Sequence, residues 1–373
     1  SIRRQRQMCI RERSYTAIAV GRVMTCVLGM VVIREREIRN FKETPFYSVI
    51  GRFTDAGVEA EWKAVEGSRY FESPLLYKEN GFKEEKDALA LIEELNGKHA
   101  KVKSIVKNIA KKRAPLLFNL AELQAECSKK FKISPDETLQ VAQDLYEKKL
   151  TTYPRTDARV LSSAVAKEIG KNISRLKGFE STADFVEHIM QKRLYANIVD
   201  TQYTDDSKVT DHYAIIPTGQ LTELSGLTSL QRAVFELIVR RFLSIFYPPA
   251  EYENVKLVVD VDKESFFASS KVLKSEGYLQ VANPPKKKSF EESNARILGK
   301  NSETADSTDE NSTANGSNDE TVVNPKVMLE LADKLKAGDE IACQGYNIKF
   351  GKTSPPKRYT SGSMVLALSL IHI

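Results

Sequence analysis

"LYEKKLTTYPRTDARVL", residues 145–161, is the stretch on which the reading of this chain turns. A charged, helix-like run ends at Lys148-Lys149, β-branched Thr151 and Thr152 follow, and Tyr153 stands directly before a proline. The proline ring crowds the preceding residue out of the α region, so Tyr153 is expected to be extended at the end of an element. Three roles stay open for it on chemistry alone: a core aromatic, a stacking platform for nucleic acid, or a nucleophile. A phenol with a pKa of about 10 is ionised to roughly one part in a thousand at neutral pH, so covalent use needs a cation or base nearby. Arg155, two residues on along an extended segment, is expected on the same side as Tyr153, where its guanidinium could clamp a phosphate.

Two helices with their own start signals precede this stretch. Asn119 with Glu122 forms a capping-box pattern ahead of Leu120, Leu123, Cys127 and Phe131; Ser134, Pro135 and Glu137 open the second helix. Helix, helix, short strand is the order of a winged-helix-like unit. A further helix is expected from about Ser229 to Phe246, stopped by Pro248-Pro249.

On both sides of this helical stretch the periodicity changes to two. Tyr47, Val49, Gly51 and Phe53 precede Asp55-Ala56-Gly57, and Val58, Ala60, Trp62 and Ala64 follow it, which predicts a hairpin. Lys86 to Leu95 reads as a short helix and Lys101 to Arg113 as an exposed, lysine-rich strand. Val255 to Val261 and Phe266 to Leu273 alternate around Asp262-Lys263-Glu264 like a second hairpin. The simplest account is an α+β, multidomain chain in which a helical domain, 114–249, is inserted into one discontinuous β-rich domain, 42–113 and 250–349. Residues 301–320 are Ser, Thr, Asn, Asp and Glu-rich and are expected to be a disordered loop.

Composition bounds the partners. The net charge is +6, but 301–320 alone carries −6, which leaves +12 on the rest and permits a polyanionic partner. The most apolar run, Ala17 to Ile33, is broken by Arg22 and is too short to span a bilayer, so it reads as a buried helix. With no recognisable signal peptide, the expected compartment is the cytoplasm. Cys9, Cys26, Cys127 and Cys343 form no C-x-x-C pair and read as reduced thiols, and no metal-ligand cluster is visible. Of the histidines, His99, His188 and His372 lack ligand-like neighbours, and His212, in "TDHYAIIPT" (210–218), would on spacing alone be structural. Gly345 and Gly351-Lys352-Thr353 miss the P-loop spacing by one residue and read as a strand-end turn.

Six segments, in order, resemble the type IA DNA topoisomerases, most closely the topoisomerase III branch: "AVGRVMT" (19–25), "APLLFNLAELQ" (114–124), residues 145–161, "TDHYAIIPT", "LIVRRFLSIFYPP" (237–249) and "PPKRYTSGSM" (355–364). The resemblance implies that Tyr153 attacks a DNA phosphodiester and holds the 5′-phosphate while another strand passes, without ATP. It implies that Arg155 stabilises the scissile phosphate and His212 contacts the DNA beside it. Arg22, Asp157, Arg159, Arg358 and Thr360 would line a groove for single-stranded DNA, formed by 17–41 and 350–366. It also implies a β-rich arch and a monomer acting on DNA with Mg²⁺ held by a Toprim domain expected ahead of Ala17. Departures are Met24 where glutamine is usual, Cys26-Val27 in place of Pro-Thr, and Tyr213 in place of a frequent second histidine. Residues 1–16 and 367–373 are unlike the family on this reading, and the chain is expected to be a gate fragment, inactive alone. The alternatives are a non-catalytic module that binds single-stranded DNA and a misassembled product that does not fold stably.

Overall fold

The computed structural model describes residues 22–283 and 324–371, which fall into two compact units. The expected loop at 301–320 and His372 lie outside the described residues, as do 1–16.

The larger unit, 45–120 and 140–351, is organised by one sheet. Its strands are β1 (Pro45–Phe53), β2 (Val58–Lys63), β3 (Leu76–Lys78), β4 (Gly81–Phe82), β5 (Ala100–Lys112), β6 (Ala250–Val261), β7 (Glu264–Ser275), β8 (Glu340–Ile341) and β9 (Cys343–Lys352). They run in the order β3-β4-β1-β2-β7-β6-β5-β8, with β9 paired to β1. Strands from both sides of the helical stretch are thus hydrogen-bonded neighbours: β2 meets β7 through Trp62↔Phe266, and β5 meets β6 along twelve residues from Ala100↔Val261 to Lys112↔Ala250. Pairing partners so distant in sequence is what lets a helical segment leave and return at one place.

The alternation read in the sequence is the alternation of burial. Val58, Ala60 and Trp62 of β2 face a core that includes Phe53, Phe82, Val255, Leu257, Val259 and Phe266, and α1 (Glu85–Leu95; numbering here starts within this unit) adds Ala88, Leu91 and Leu95. Trp62 stacks on Phe82 with ring centroids 4.9 Å apart and planes 9° from parallel. Beneath it Glu264 is wholly buried and accepts hydrogen bonds from Trp62 Nε1 at 2.8 Å, Ser68 Oγ at 2.7 Å and the Arg69 amide at 3.0 Å. Each acceptor position is answered by a donor, which is what a carboxylate needs to sit in a core.

The lysine stripe of β5 is spent on carboxylates of the same unit. Lys103 pairs with Asp260 at 3.0 Å, Lys107 with Glu253 at 3.3 Å and Asp333 at 3.2 Å, and Lys111 with Glu251 at 3.1 Å. This edge of the excess positive charge is therefore already matched by carboxylates. Gly345 lies inside β9 and Gly351-Lys352 closes it, so the expected strand end holds for Gly351 and not for Gly345. A Cβ on Gly351 would fall 2.4 Å from Cζ of Phe46, so the glycine is there to let that ring cross the strand.

Between β5 and β6 the helical stretch of this unit contains α2 (Ser163–Arg175), α3 (Ala183–Lys192) and α4 (Ser229–Ser244). Ser162 caps α2 by accepting from Val165 N, and Ala166, Ile169 and Ile173 are its buried stripe. Thr228 and Gln231 form a reciprocal capping box on α4. Arg240, 5% exposed, is satisfied by Glu236 at 2.7 Å and the carbonyls of Val281 and Ser181. His188 stacks on Tyr247, a packing role in keeping with its lack of ligand-like neighbours.

The smaller unit comprises 22–44, 121–139 and 352–371 of the described residues. It contains α5 (Arg22–Asn40; labels here continue from the first unit), most of α6 (Leu120–Phe131), the start of α7 (Pro135–Glu147) and α8 (Ser361–Ile371). Residues 121–139, assigned to the helical domain in the sequence reading, pack here because Gly362 brings α8 against Ala125: a Cβ on that glycine would lie 3.1 Å from the Ala125 Cα. Ser134 and Glu137 make the expected capping box, the Ser134 amide donating to Glu137 Oε2 at 2.7 Å and the Glu137 amide to Ser134 Oγ at 3.2 Å.

The apolar helix is not buried as the sequence suggested. Val23 and Met24 are each 67% exposed, Leu28 63% and Ile33 57%. What the unit uses is the polar face of α5: Arg34 stacks 4.3 Å above the Tyr359 ring and donates to the Lys357 carbonyl at 2.5 Å and the Tyr359 hydroxyl at 3.1 Å. Hydrophobicity alone could not show that polar contacts, and not the apolar run, would hold this helix.

Candidate active site

Tyr153 is positioned by a zipper between 150–161 and 212–218. The Thr152 amide donates to Ile216 O at 3.0 Å, while Thr152 Oγ1 donates to Ala214 O at 3.0 Å and accepts from the Ile216 amide at 2.9 Å. Thr218 N donates to Leu150 O at 3.0 Å, and Ala214 N to Val160 O at 3.0 Å. Thr156 Oγ1 donates to His212 O at 3.0 Å and accepts from Ala158 N at 3.1 Å. The two threonines that looked merely β-branched in sequence include one, Thr152, that acts as a backbone surrogate, binding both a carbonyl and an amide of the neighbouring segment.

This stitching brings the imidazole of His212 to Tyr153, with ring centroids 4.5 Å apart and planes at 44°. Tyr146, from the last turn of α7, also meets Tyr153, edge-on at 5.4 Å and 78°. Tyr153 is half-buried, while His212 is exposed. Spacing alone made His212 structural; the pairing with Tyr153 is a tertiary fact that only the zipper reveals.

Arg155 is exposed and has no ion pair or hydrogen-bond partner for its guanidinium among the described residues. The strand alternation used to place it does not hold: Thr156 N donates to Pro154 O at 3.0 Å, so the backbone bends at Pro154. Its charge remains beside the tyrosine in sequence and open to an anion. Asp157 is exposed, and its carbonyl accepts from the Asn119 side chain at 3.2 Å. Arg159 is half-buried with Nε reaching the Leu117 carbonyl at 3.5 Å.

The remaining expected site residues belong to the smaller unit and are described within it. Arg22 opens α5. Arg358 pairs with Glu35 through Nε at 2.5 Å and Nη2 at 3.2 Å, and the guanidinium beside Glu35 holds that carboxyl below its ordinary value. Thr360 caps α8 by accepting from Ser363 N at 3.1 Å.

A cavity of about 340 Å³ opens beside Tyr153, lined by Tyr146, Lys149, Thr151, His212, Tyr213 and Gln220 among others. Burial pushes the Tyr213 phenol up from its ordinary value. Sequence reading passed over Tyr146 and Lys149, although both lie within the opening stretch. Among the described residues no group of three or more His, Cys, Asp or Glu could hold a metal ion. No helix among the described residues is long and apolar enough to cross a membrane.

A family profile described as DNA topoisomerase matches residues 5–373, and the chain belongs to that family, type IA. The match runs into 5–16 and 367–373, which the sequence reading set apart. Among curated proteins the chain is 31% identical over 356 residues to DNA topoisomerase 3 of Bacillus subtilis (strain 168), covering 94% of this chain and 42% of that protein. It is 36% identical over 265 residues to DNA topoisomerase 3 of Bacillus cereus (strain ATCC 14579), covering 70% and 34%. The chain thus spans less than half the length of these relatives. Among solved structures, full-length topoisomerase I from Thermotoga maritima matches with a TM-score of 0.56 at 21% identity, over 95% of this chain and 49% of that one, a likeness of fold.

Proposed function

We propose that this chain carries the nucleophile of a type IA, topoisomerase III-like enzyme and that Tyr153 cuts one strand of DNA. In this reading the Tyr153 oxygen attacks a phosphodiester phosphorus and gives up its proton. The bond from phosphorus to the 3′ oxygen breaks, the 3′ oxygen takes up a proton, and the 5′-phosphate stays esterified to the tyrosine. Religation reverses these steps by attack of the 3′ hydroxyl on the phosphotyrosine. One phosphodiester is exchanged for another throughout, so no ATP is required.

The observation that carries the reading is the contact between the Tyr153 and His212 rings, made by two separately matching motifs. His212 is assigned to the phosphate beside the nucleophile, and Arg155, whose guanidinium has no partner among the described residues, to the charge that develops on the phosphorane oxygens. Arg22, Asp157, Arg159, Arg358 and Thr360 are assigned to the groove for the single strand. Arg358 would exchange Glu35 for a phosphate, which costs little because an exposed ion pair is held only weakly in water. Residues 114–249 are assigned as a winged-helix-like tyrosine domain inserted into the β-rich arch.

The test is a denaturant-quenched reaction of the chain with a labelled single-stranded oligonucleotide, Mg²⁺ and a separately made Toprim domain of the family. A covalent adduct is expected, and it should vanish in Tyr153→Phe. An equal adduct in that variant would remove Tyr153 as nucleophile. Tight, salt-sensitive binding with no adduct would instead favour the second reading, a module that holds single-stranded DNA without cutting it.

A further inference from the structure

The cavity beside Tyr153 has more polar equipment than a tyrosine nucleophile uses. Three threonines line it, and two are fully employed: Thr152 bonds to Ala214 O and Ile216 N, and Thr218 Oγ1 donates to Lys149 O at 2.5 Å. The third, Thr151, is 2% exposed, yet its Oγ1 has no hydrogen-bond partner among the described residues. Leaving a buried hydroxyl unpaired costs about 1–3 kcal/mol, so such a group in a cavity wall points to a partner that arrives from outside.

The other lining groups say what that partner is. Tyr146 is 39% exposed and Tyr213 half-buried, so each offers ring surface to the cavity. Lys149 is held in the left-handed region at φ 59°, its carbonyl fixed by Thr218, and its ammonium has no partner among the described residues. Gln220 adds an exposed amide that both donates and accepts. Flat apolar rings, a hydrogen-bonding edge and one free cation are the complement of an unstacked nucleobase and its neighbouring phosphate. A volume of about 340 Å³ admits one such group.

We infer that this cavity is a subsite for one unstacked nucleobase of the strand that Tyr153 engages. The base lies against the Tyr146 and Tyr213 rings, its polar edge meets Thr151 Oγ1 and Gln220, and Lys149 takes the adjoining phosphate. The inference rests on the functional reading above, because it takes the strand's path past Tyr153 as given. It adds a contact to the base itself, where Arg155 and His212 address only phosphate.

The test uses the whole chain and single-stranded oligonucleotides carrying 5-iododeoxyuridine at successive positions. Binding is followed by fluorescence anisotropy and photo-cross-links are mapped by mass spectrometry. A cross-link at Tyr146 or Tyr213 is expected. Thr151→Val should cut its yield several-fold, and Lys149→Gln should do the same while lowering the salt dependence of binding. If the oligonucleotide binds but cross-links only elsewhere, or if neither variant changes the yield, the subsite is wrong and the functional reading stands. If no oligonucleotide binds, both fall together.

Discussion

The Tyr153 ring sits 4.5 Å from the His212 ring, and the hydroxyl of Thr156 is what ties the two segments at that point, by donating to the His212 carbonyl at 3.0 Å. Because Thr156 also accepts from Ala158 N, Thr156→Val should leave a buried amide without an acceptor and release His212. Unfolding by urea is expected to show a loss of about 1–3 kcal/mol. Adduct yield should fall with it, and Thr156→Ser should restore both.

Arg155 offers the opposite case, a charged group with no ion pair or hydrogen-bond partner among the described residues. Arg155→Ala is expected to leave the urea midpoint within about 0.5 kcal/mol of wild type while lowering covalent adduct formation at least about tenfold. A variant that lost stability in step with adduct would show the arginine to be structural. Arg155→Lys should recover only part of the yield, since an ammonium cannot grip a phosphate with two parallel N–H bonds.

Much of the fold was legible because burial follows period two in β2 and along parts of β6 and β7, and because Ser134 and Glu137 announce their helix with a capping box. The helix Ser163–Arg175 was equally announced, by Ser162 before Ala166, Ile169 and Ile173, but that signal went unread beside the tyrosine motif. β3, β4 and β8 are two or three residues long and exist only through their neighbours, so no local pattern encodes them. At the site, Tyr153 and Arg155 were visible as types, whereas the closeness of His212 depends on side-chain bonds from Thr152 and Thr156 across distant sequence. The exposed apolar face of Arg22–Asn40 was misread for a related reason: composition reports hydrophobicity, while position depends on what the other face of the helix can bind.

Glu264 should matter far more than an acidic residue in a turn region normally does. It accepts three hydrogen bonds in a fully dry site, one of them from Trp62, the single tryptophan of the chain. Glu264→Ala is expected to cost about 3 kcal/mol or more, since donors to a charged acceptor lose about 1.5–3 kcal/mol each and the contributions overlap. Tryptophan emission gives the measurement directly. A shifted native spectrum together with an earlier denaturation midpoint is expected, and an unchanged pair would refute the assignment of this carboxylate as a core anchor.

The sheet also contains a carboxyl that is worse off folded. Burial raises Glu61 above its ordinary value of 4.5, with hydrogen bonds from neighbours including Asn80 only partly offsetting it. A raised carboxyl favours the folded state while it is protonated, so this contribution is present below the unfolded value and is lost as pH rises through the folded one. Glu61→Gln keeps an oxygen for Asn80 and cannot ionise. Its melting temperature should exceed that of wild type near neutral pH, and the gap should close as the pH is lowered towards about 4. A gap independent of pH would mean that the gain came from something other than ionisation.

Cys127 tests the helix pair formed by 120–131 and 135–147. Its side chain is 0% exposed, and burial pushes its thiol up to about 12, with the Thr138 hydroxyl opposing the shift only in part. Only the thiolate is nucleophilic, so two barriers, access and ionisation, act against reagents. Cys26, exposed on the helix Arg22–Asn40, meets no such barrier to access. Native chain treated with iodoacetamide at about pH 8 should therefore be labelled at Cys26 and spared at Cys127, with Cys127 reacting once urea unfolds the pair. Peptide mapping distinguishes the sites. Equal native labelling would mean that these helices open readily, and the backbone that delivers Tyr146 to Tyr153 would then be too loose to hold the tyrosine against His212.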